Sequence, residues 1–78
     1  MALITKNYGK DYMVIMNGSD TVVDNVILEY RDGESDKVSF QPGVAIRFYL
    51  VESVTADETA FQKLSIDTYL RQDGFFLQ

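Results

Sequence analysis

Three small groups of residues have the types and spacing that chemistry could use. Asp32, Glu34 and Asp36 alternate in "DGESD", the way a calcium loop begins. Such a loop between two helices needs Gly at its sixth position and a bidentate Glu at its twelfth. Counted from Asp32, those positions hold Lys37 and Gly43. The motif fails, and the segment reads as a solvated hairpin turn with no metal. Lys63 and Ser65 form the second group. Two residues apart on a strand, they would face the same side, where a Ser–Lys pair is conceivable, although surface strands hold such pairs by chance. With no His and no Cys in the chain, the common activators of a nucleophile and the common zinc ligands are both missing. Neither "QPGVA" nor "NGSD" has the spacing of a phosphate-binding loop. The expectation is a protein that is not an enzyme and takes no cofactor.

The third group is aromatic and basic. Tyr49 and Tyr69 stand beside Arg47 and Arg71 on faces that the residue pattern turns outward. Tyr and Arg are enriched at the energetic centres of protein interfaces, because they combine area with directed polar atoms. They are also ordinary cross-strand neighbours on a sheet surface. Both readings stay open at this level.

The elements that must position these groups are strands, because the dominant apolar period is two. "DYMVIM" (11–16) is apolar on both faces, as a central strand covered on both sides would be. Asn17-Gly18 suits a tight turn with positive φ. "TVVDNVILEYR" interrupts itself at Asp24-Asn25, where a bulge or bend is expected. Val26, Leu28 and Tyr30 then share one face, while Ile27, Glu29 and Arg31 share the other. "DGES" turns the chain into a returning "KVSF", and Pro42-Gly43 suits a type II turn. "VAIRFYLVE" reads as one long strand with Val44, Ile46, Phe48 and Leu50 on its core face. On that reading Phe48→Ala costs about 3–5 kcal/mol, the range for a buried large-to-small change. Thr55 and Glu58 have capping-box spacing, giving at most one short helical turn near residues 56–62. Beyond it Leu64, Ile66, Thr68 and Leu70 alternate with Ser65, Asp67, Tyr69 and Arg71. A turn at Gln72-Asp73-Gly74 and a short terminal strand "FFLQ" complete the chain.

This pattern predicts an all-β fold, a small antiparallel β-sandwich or partly open barrel, as a single domain over 1–78. A chain of this size buries only about 63% of its unfolded surface. Without disulfides or zinc, association is the remaining common remedy for so small a core. The composition, 46% hydrophobic and 13% aromatic, still suffices for one.

The net charge is −5, from 12 acidic and 7 basic residues. The cations are scattered, so direct binding to nucleic acid is not expected. No apolar run spans a bilayer, and the basic residues of "MALITKNYGK" follow its apolar stretch, the reverse of a secretory signal. The chain therefore reads as a protein made in a cytoplasm, with incorporation into a virion left open.

These observations suggest a protein–protein interaction module, a structural or accessory subunit of a larger assembly such as a phage or virus particle. The alternative is a small acidic inhibitor, of the phage anti-defence type, that blocks a basic groove of a nucleic-acid enzyme. Several carboxylates fall in turns rather than along one face, which favours the assembly reading. The partner is a protein, either a second copy in a homo-oligomer or a larger assembly. Consecutive Phe75 and Phe76 must point to opposite faces of a strand. Phe75 and Leu77 are expected to close the core and Phe76 to meet a neighbour.

Overall fold

The computed structural model describes residues 2–70. Arg71, the turn at 72–74 and the tail carrying Phe75, Phe76 and Leu77 lie outside the described residues.

The all-β expectation holds. Seven strands and one short helix follow in the order β1 (Leu3–Asn7), β2 (Tyr12–Asn17), β3 (Val23–Tyr30), β4 (Ser35–Phe40), β5 (Ala45–Tyr49), β6 (Val51–Asp57), α1 (Glu58–Lys63) and β7 (Leu64–Tyr69). They form two antiparallel sheets, β1-β6-β3-β4 and β5-β2-β7. Between the sheets lie Met13 and Ile15 from β2, with Val23, Val26, Leu28, Phe40, Val51, Val54 and Ala56 from the larger sheet, all buried. Ile46, Phe48, Leu64 and Ile66 close this core from the smaller sheet. The Phe40 and Phe48 rings meet edge to face at 6.1 Å, a favoured geometry for the ring quadrupoles.

Of the strand pairs among the described residues, only β3–β4 joins strands consecutive in the chain. Every other connection between consecutive strands crosses from one sheet to the other. That explains three departures from the sequence reading. Asn17-Gly18 is not a hairpin turn, because β2 and β3 belong to different sheets, and neither residue has positive φ. Asn17 is instead fully buried. Its Nδ2 donates to the Thr21 carbonyl at 2.8 Å and to the Phe40 carbonyl at 2.9 Å. Its Oδ1 accepts from the Ser19 N–H and hydroxyl. Its own N–H bonds the Val44 carbonyl and its carbonyl takes the Gly43 N–H, so the side chain and backbone of one residue tie four segments together. Gly43, at φ 76°, supplies the expected turn.

The second departure is "VAIRFYLVE", which is two strands and not one. Leu50 has φ 58°, a conformation that costs an L-residue about 1–2 kcal/mol. It passes the chain from one sheet to the other. Its N–H bonds the Asp11 carbonyl and its carbonyl takes the Arg31 N–H, so the corner is stitched to both sheets. Because the turn reverses the phase, Val51 enters the core and Leu50 is 46% exposed. Val44 is also exposed, so of the predicted core face only Ile46 and Phe48 pack inward, both partly buried.

Third, the strand before the helix runs further than expected. Thr55 lies within β6, where its hydroxyl meets that of Thr5 at 2.8 Å. The N-cap is Asp57, whose carboxylate accepts the Ala60 N–H at 2.8 Å. The capping box expected from Thr55 and Glu58 is not formed: a single Asp57 cap two residues later takes its place, with Ala60 where a box needs Glu or Gln. The bulge at Asp24-Asn25 is present, with Asn25 at φ 60° and a register shift between Val23 and Val26.

Across the β3–β4 hairpin the Tyr30 hydroxyl donates to Asp36 Oδ2 at 2.8 Å. Burial first, then the Asp36 carboxylate, push this phenol from 10.0 up to about 12. The folded state therefore holds Tyr30 neutral. That contribution is complete below pH 10, the unfolded value, and is lost as pH rises towards 12. Denaturation midpoints measured across this window should fall more in the native protein than in Tyr30→Phe. Equal falls would show that Tyr30 is not the group responsible.

Candidate protein-interaction face

The smaller sheet turns one face to the core and the other away from it. Met13, Ile15 and Asn17 of β2 point inward and are buried, while Tyr12, Val14 and Met16 point outward. The expected central strand is present, and the larger sheet covers the inner face of "DYMVIM". β2 is central, and of its outward residues Met16 is exposed while Tyr12 and Val14 are half-buried. On β5, Ile46 and Phe48 point inward and Ala45, Arg47 and Tyr49 outward. On β7, Leu64, Ile66 and Thr68 point inward and Ser65, Asp67 and Tyr69 outward, as the sequence pattern predicts.

Strand register assembles these outward residues into rows. Tyr12 lies opposite both Tyr49 and Tyr69, Val14 opposite Arg47 and Asp67, and Met16 opposite Ala45 and Ser65. The Tyr12 and Tyr69 rings stack at 4.8 Å with 15° between planes, and Tyr49 tilts towards Tyr12 at 6.1 Å. The Arg47 guanidinium lies 5.3 Å from the centre of the Tyr12 ring, within reach of a cation–π attraction. The Tyr49 hydroxyl, with Tyr12 and Tyr69 further off, holds Arg47 above the ordinary guanidinium value. Tyr49, Tyr69 and Met16 are 55%, 43% and 41% exposed. Leu50 and Leu70 are exposed where β5 and β7 end beside the tyrosines.

Three of the five residues singled out from sequence, Arg47, Tyr49 and Tyr69, thus share one face. Arg71 and Phe76 lie outside the described residues. Tyr12, at the centre of the aromatic row, is not singled out by the sequence. Its signal is the second apolar face of "DYMVIM", which the alternation alone assigns to the interior.

The outer face of the larger sheet differs in chemistry. Its register sets Thr5, Thr55, Ile27 and Lys37 in one row and Asn7, Ser53, Glu29 and Ser35 in the next. Water solvates such a surface at little cost, whereas stacked phenol rings leave apolar edges exposed.

The other groups are dispersed. Asp32 accepts the Glu34 N–H in the hairpin turn, and Asp36 is engaged by Tyr30. Among the described residues, no three His, Cys, Asp or Glu side chains gather as a metal site. Lys63 ends the helix and its Nζ donates to Thr21 Oγ1 at 2.9 Å, while Ser65 is exposed on β7. Beside Lys63 an open recess of about 190 Å³ is lined by Val22, Asp24, Asn25 and Asp57 among others. It is smaller than the cavities of about 300–1,000 Å³ that usually enclose ligands. Among the described residues, no helix is long and apolar enough to cross a membrane. Comparison of the chain with protein-family models, with curated proteins and with solved structures finds no match.

Proposed function

We propose that this protein is a non-enzymatic protein–protein interaction module, a structural or accessory subunit of a larger assembly of the phage- or virus-particle kind. It docks through the outer face of β5-β2-β7. The observation that carries the reading is the row Tyr49–Tyr12–Tyr69 with Arg47 beside it, on the outer face of the smaller sheet, where Tyr49 and Tyr69 are exposed. Rigid aromatic side chains lose little conformational freedom on contact, and Arg adds directed donors. A surface of this kind gains from exclusion of water by a partner.

The reading is tested by a photoreactive phenylalanine analogue placed at Tyr49, or as a control at Glu29 on the polar face of the other sheet. Irradiation of the cells that make the protein should give adducts of discrete mass from position 49 and not from position 29. Those adducts are to the chain itself or to one other protein. Equal yields from the two positions would remove the basis for assigning this face to a partner.

A further inference from the structure

Charge on the aromatic face is antisymmetric about β2. Arg47 on β5 and Asp67 on β7 both lie opposite Val14, so a cation, an apolar centre and an anion form one row. With strands about 4.8 Å apart, the two backbones stand about 10 Å from each other, and no ion pair between the two side chains is present. Both are exposed. Among the described residues the Asp67 carboxylate has no hydrogen bond or ion pair, and the Arg47 guanidinium meets tyrosines and no carboxylate.

We infer that this face binds a second copy of the chain, face to face, about a two-fold axis lying close to β2. The inference rests on the interaction-module reading and specifies its partner. A two-fold axis in the plane of contact and along β2 exchanges the sheet's two edges. β5 of one copy then lies over β7 of the other, as an isologous interface requires. Arg47 meets Asp67 of the second copy, and Asp67 meets its Arg47. Val14 lies over Val14 and Met16 over Met16, while Tyr49 lies over Tyr69. An axis across the strands at the Val14 row would instead set Arg47 on Arg47 and Asp67 on Asp67, which like-charge repulsion disfavours. The chosen axis also keeps the two sheets aligned, the commonest way for sheets to stack.

The face measures about 17 Å along the strands by 14 Å across them. That is less than the roughly 800 Å² per partner of a standard stable interface. The pair is therefore reversible and concentration-dependent, not permanent.

Sedimentation velocity on the native protein up to about 1 mM, where weak encounters become populated, tests this with Arg47→Glu and Asp67→Arg. The native protein should dimerise. Each variant alone should raise the dissociation constant at least about tenfold, because the two-fold repeats every like-charge contact twice. An equimolar mixture of the two variants should recover dimer. In the mixed pair the two substituted positions carry opposite charges across one contact, and the native Arg47–Asp67 pair forms across the other. Both sites are exposed, so circular dichroism should show native folds. If either variant fails to fold, Arg47→Asp and Asp67→Lys form the second pair. A native protein monomeric throughout, a single variant that dimerises normally, or a mixture that recovers nothing would each overturn the proposal. If in those cases position 49 still gives discrete adducts with a different protein, the module reading stands and only the choice of partner fails.

Discussion

Phe40→Ala is expected to leave the chain unfolded or close to it at room temperature. Phe40 is the largest fully buried side chain among the described residues, with no exposed surface. It ends β4 at the point where its ring meets Phe48 from the opposite sheet. Removing a buried Phe ring costs about 3–5 kcal/mol, from lost transfer energy and the cavity left behind. At about 0.05–0.15 kcal/mol per residue, a domain of this length has a total stability of the same order. The cost expected from sequence at Phe48 thus falls on its ring partner. Phe48 is only partly buried, so Phe48→Ala should cost less. Urea titration followed by circular dichroism would order the two variants. A Phe40→Ala midpoint at or above that of Phe48→Ala would place the centre of the core elsewhere.

The second large effect is expected at a polar residue. Asn17→Leu should destabilise by about 2–4 kcal/mol even though it adds apolar bulk, because buried partners left without hydrogen bonds cost about 1–3 kcal/mol each. The Phe40 carbonyl loses its side-chain donor, the Thr21 carbonyl keeps only the Ser19 hydroxyl, and the Ser19 N–H loses its acceptor. Asn17→Asp is the sharper probe. It has nearly the same shape, but as a carboxylate it turns an oxygen towards two carbonyl oxygens. Burial and that repulsion favour the protonated acid. The folded pKa of the introduced Asp is thereby raised, so its destabilisation relative to the native protein should grow as pH rises from the acid range to neutrality. A pH-independent difference would mean that the side chain is reached by water, contrary to its complete burial.

How far the fold can be read from sequence depends on the range of the interaction that decides each feature. Local chemistry is legible. The bulge at Asp24-Asn25, the turn at Gly43 and the in–out alternation of Leu64, Ile66 and Thr68 against Ser65, Asp67 and Tyr69 follow from neighbours a few positions away. The short helix is legible too, but its start shifts from Thr55 to Asp57 because pairing of β6 with β1 holds Thr55 in a strand. Features decided by distant pairing are hidden. Nothing about Leu50 as a residue type announces a positive φ, so the sheet-to-sheet crossing reads as continuous strand. Tyr12 cannot be placed between Tyr49 and Tyr69 until the register of three strands far apart in the chain is known. Asn17 looks like a turn former because its neighbour is Gly18, and its buried partners come from other segments.

The crossing of nearly every connection between sheets has a consequence during synthesis. β1 must wait for β6, and β2 for both β5 and β7. Pairings so distant in sequence place such chains among the slower folders, on the order of milliseconds to seconds, because loop closure precedes any reward from contact. On the ribosome, among the described residues, the β3–β4 hairpin is the one strand pair that can close as soon as it emerges. Until β7 follows, β2 lacks one of its two neighbours, and Met13 and Ile15 are covered from one edge only. Once emerged, the nascent chain therefore exposes its most apolar strand to chaperones, or to the β2 of another nascent chain, until β5 and β7 follow.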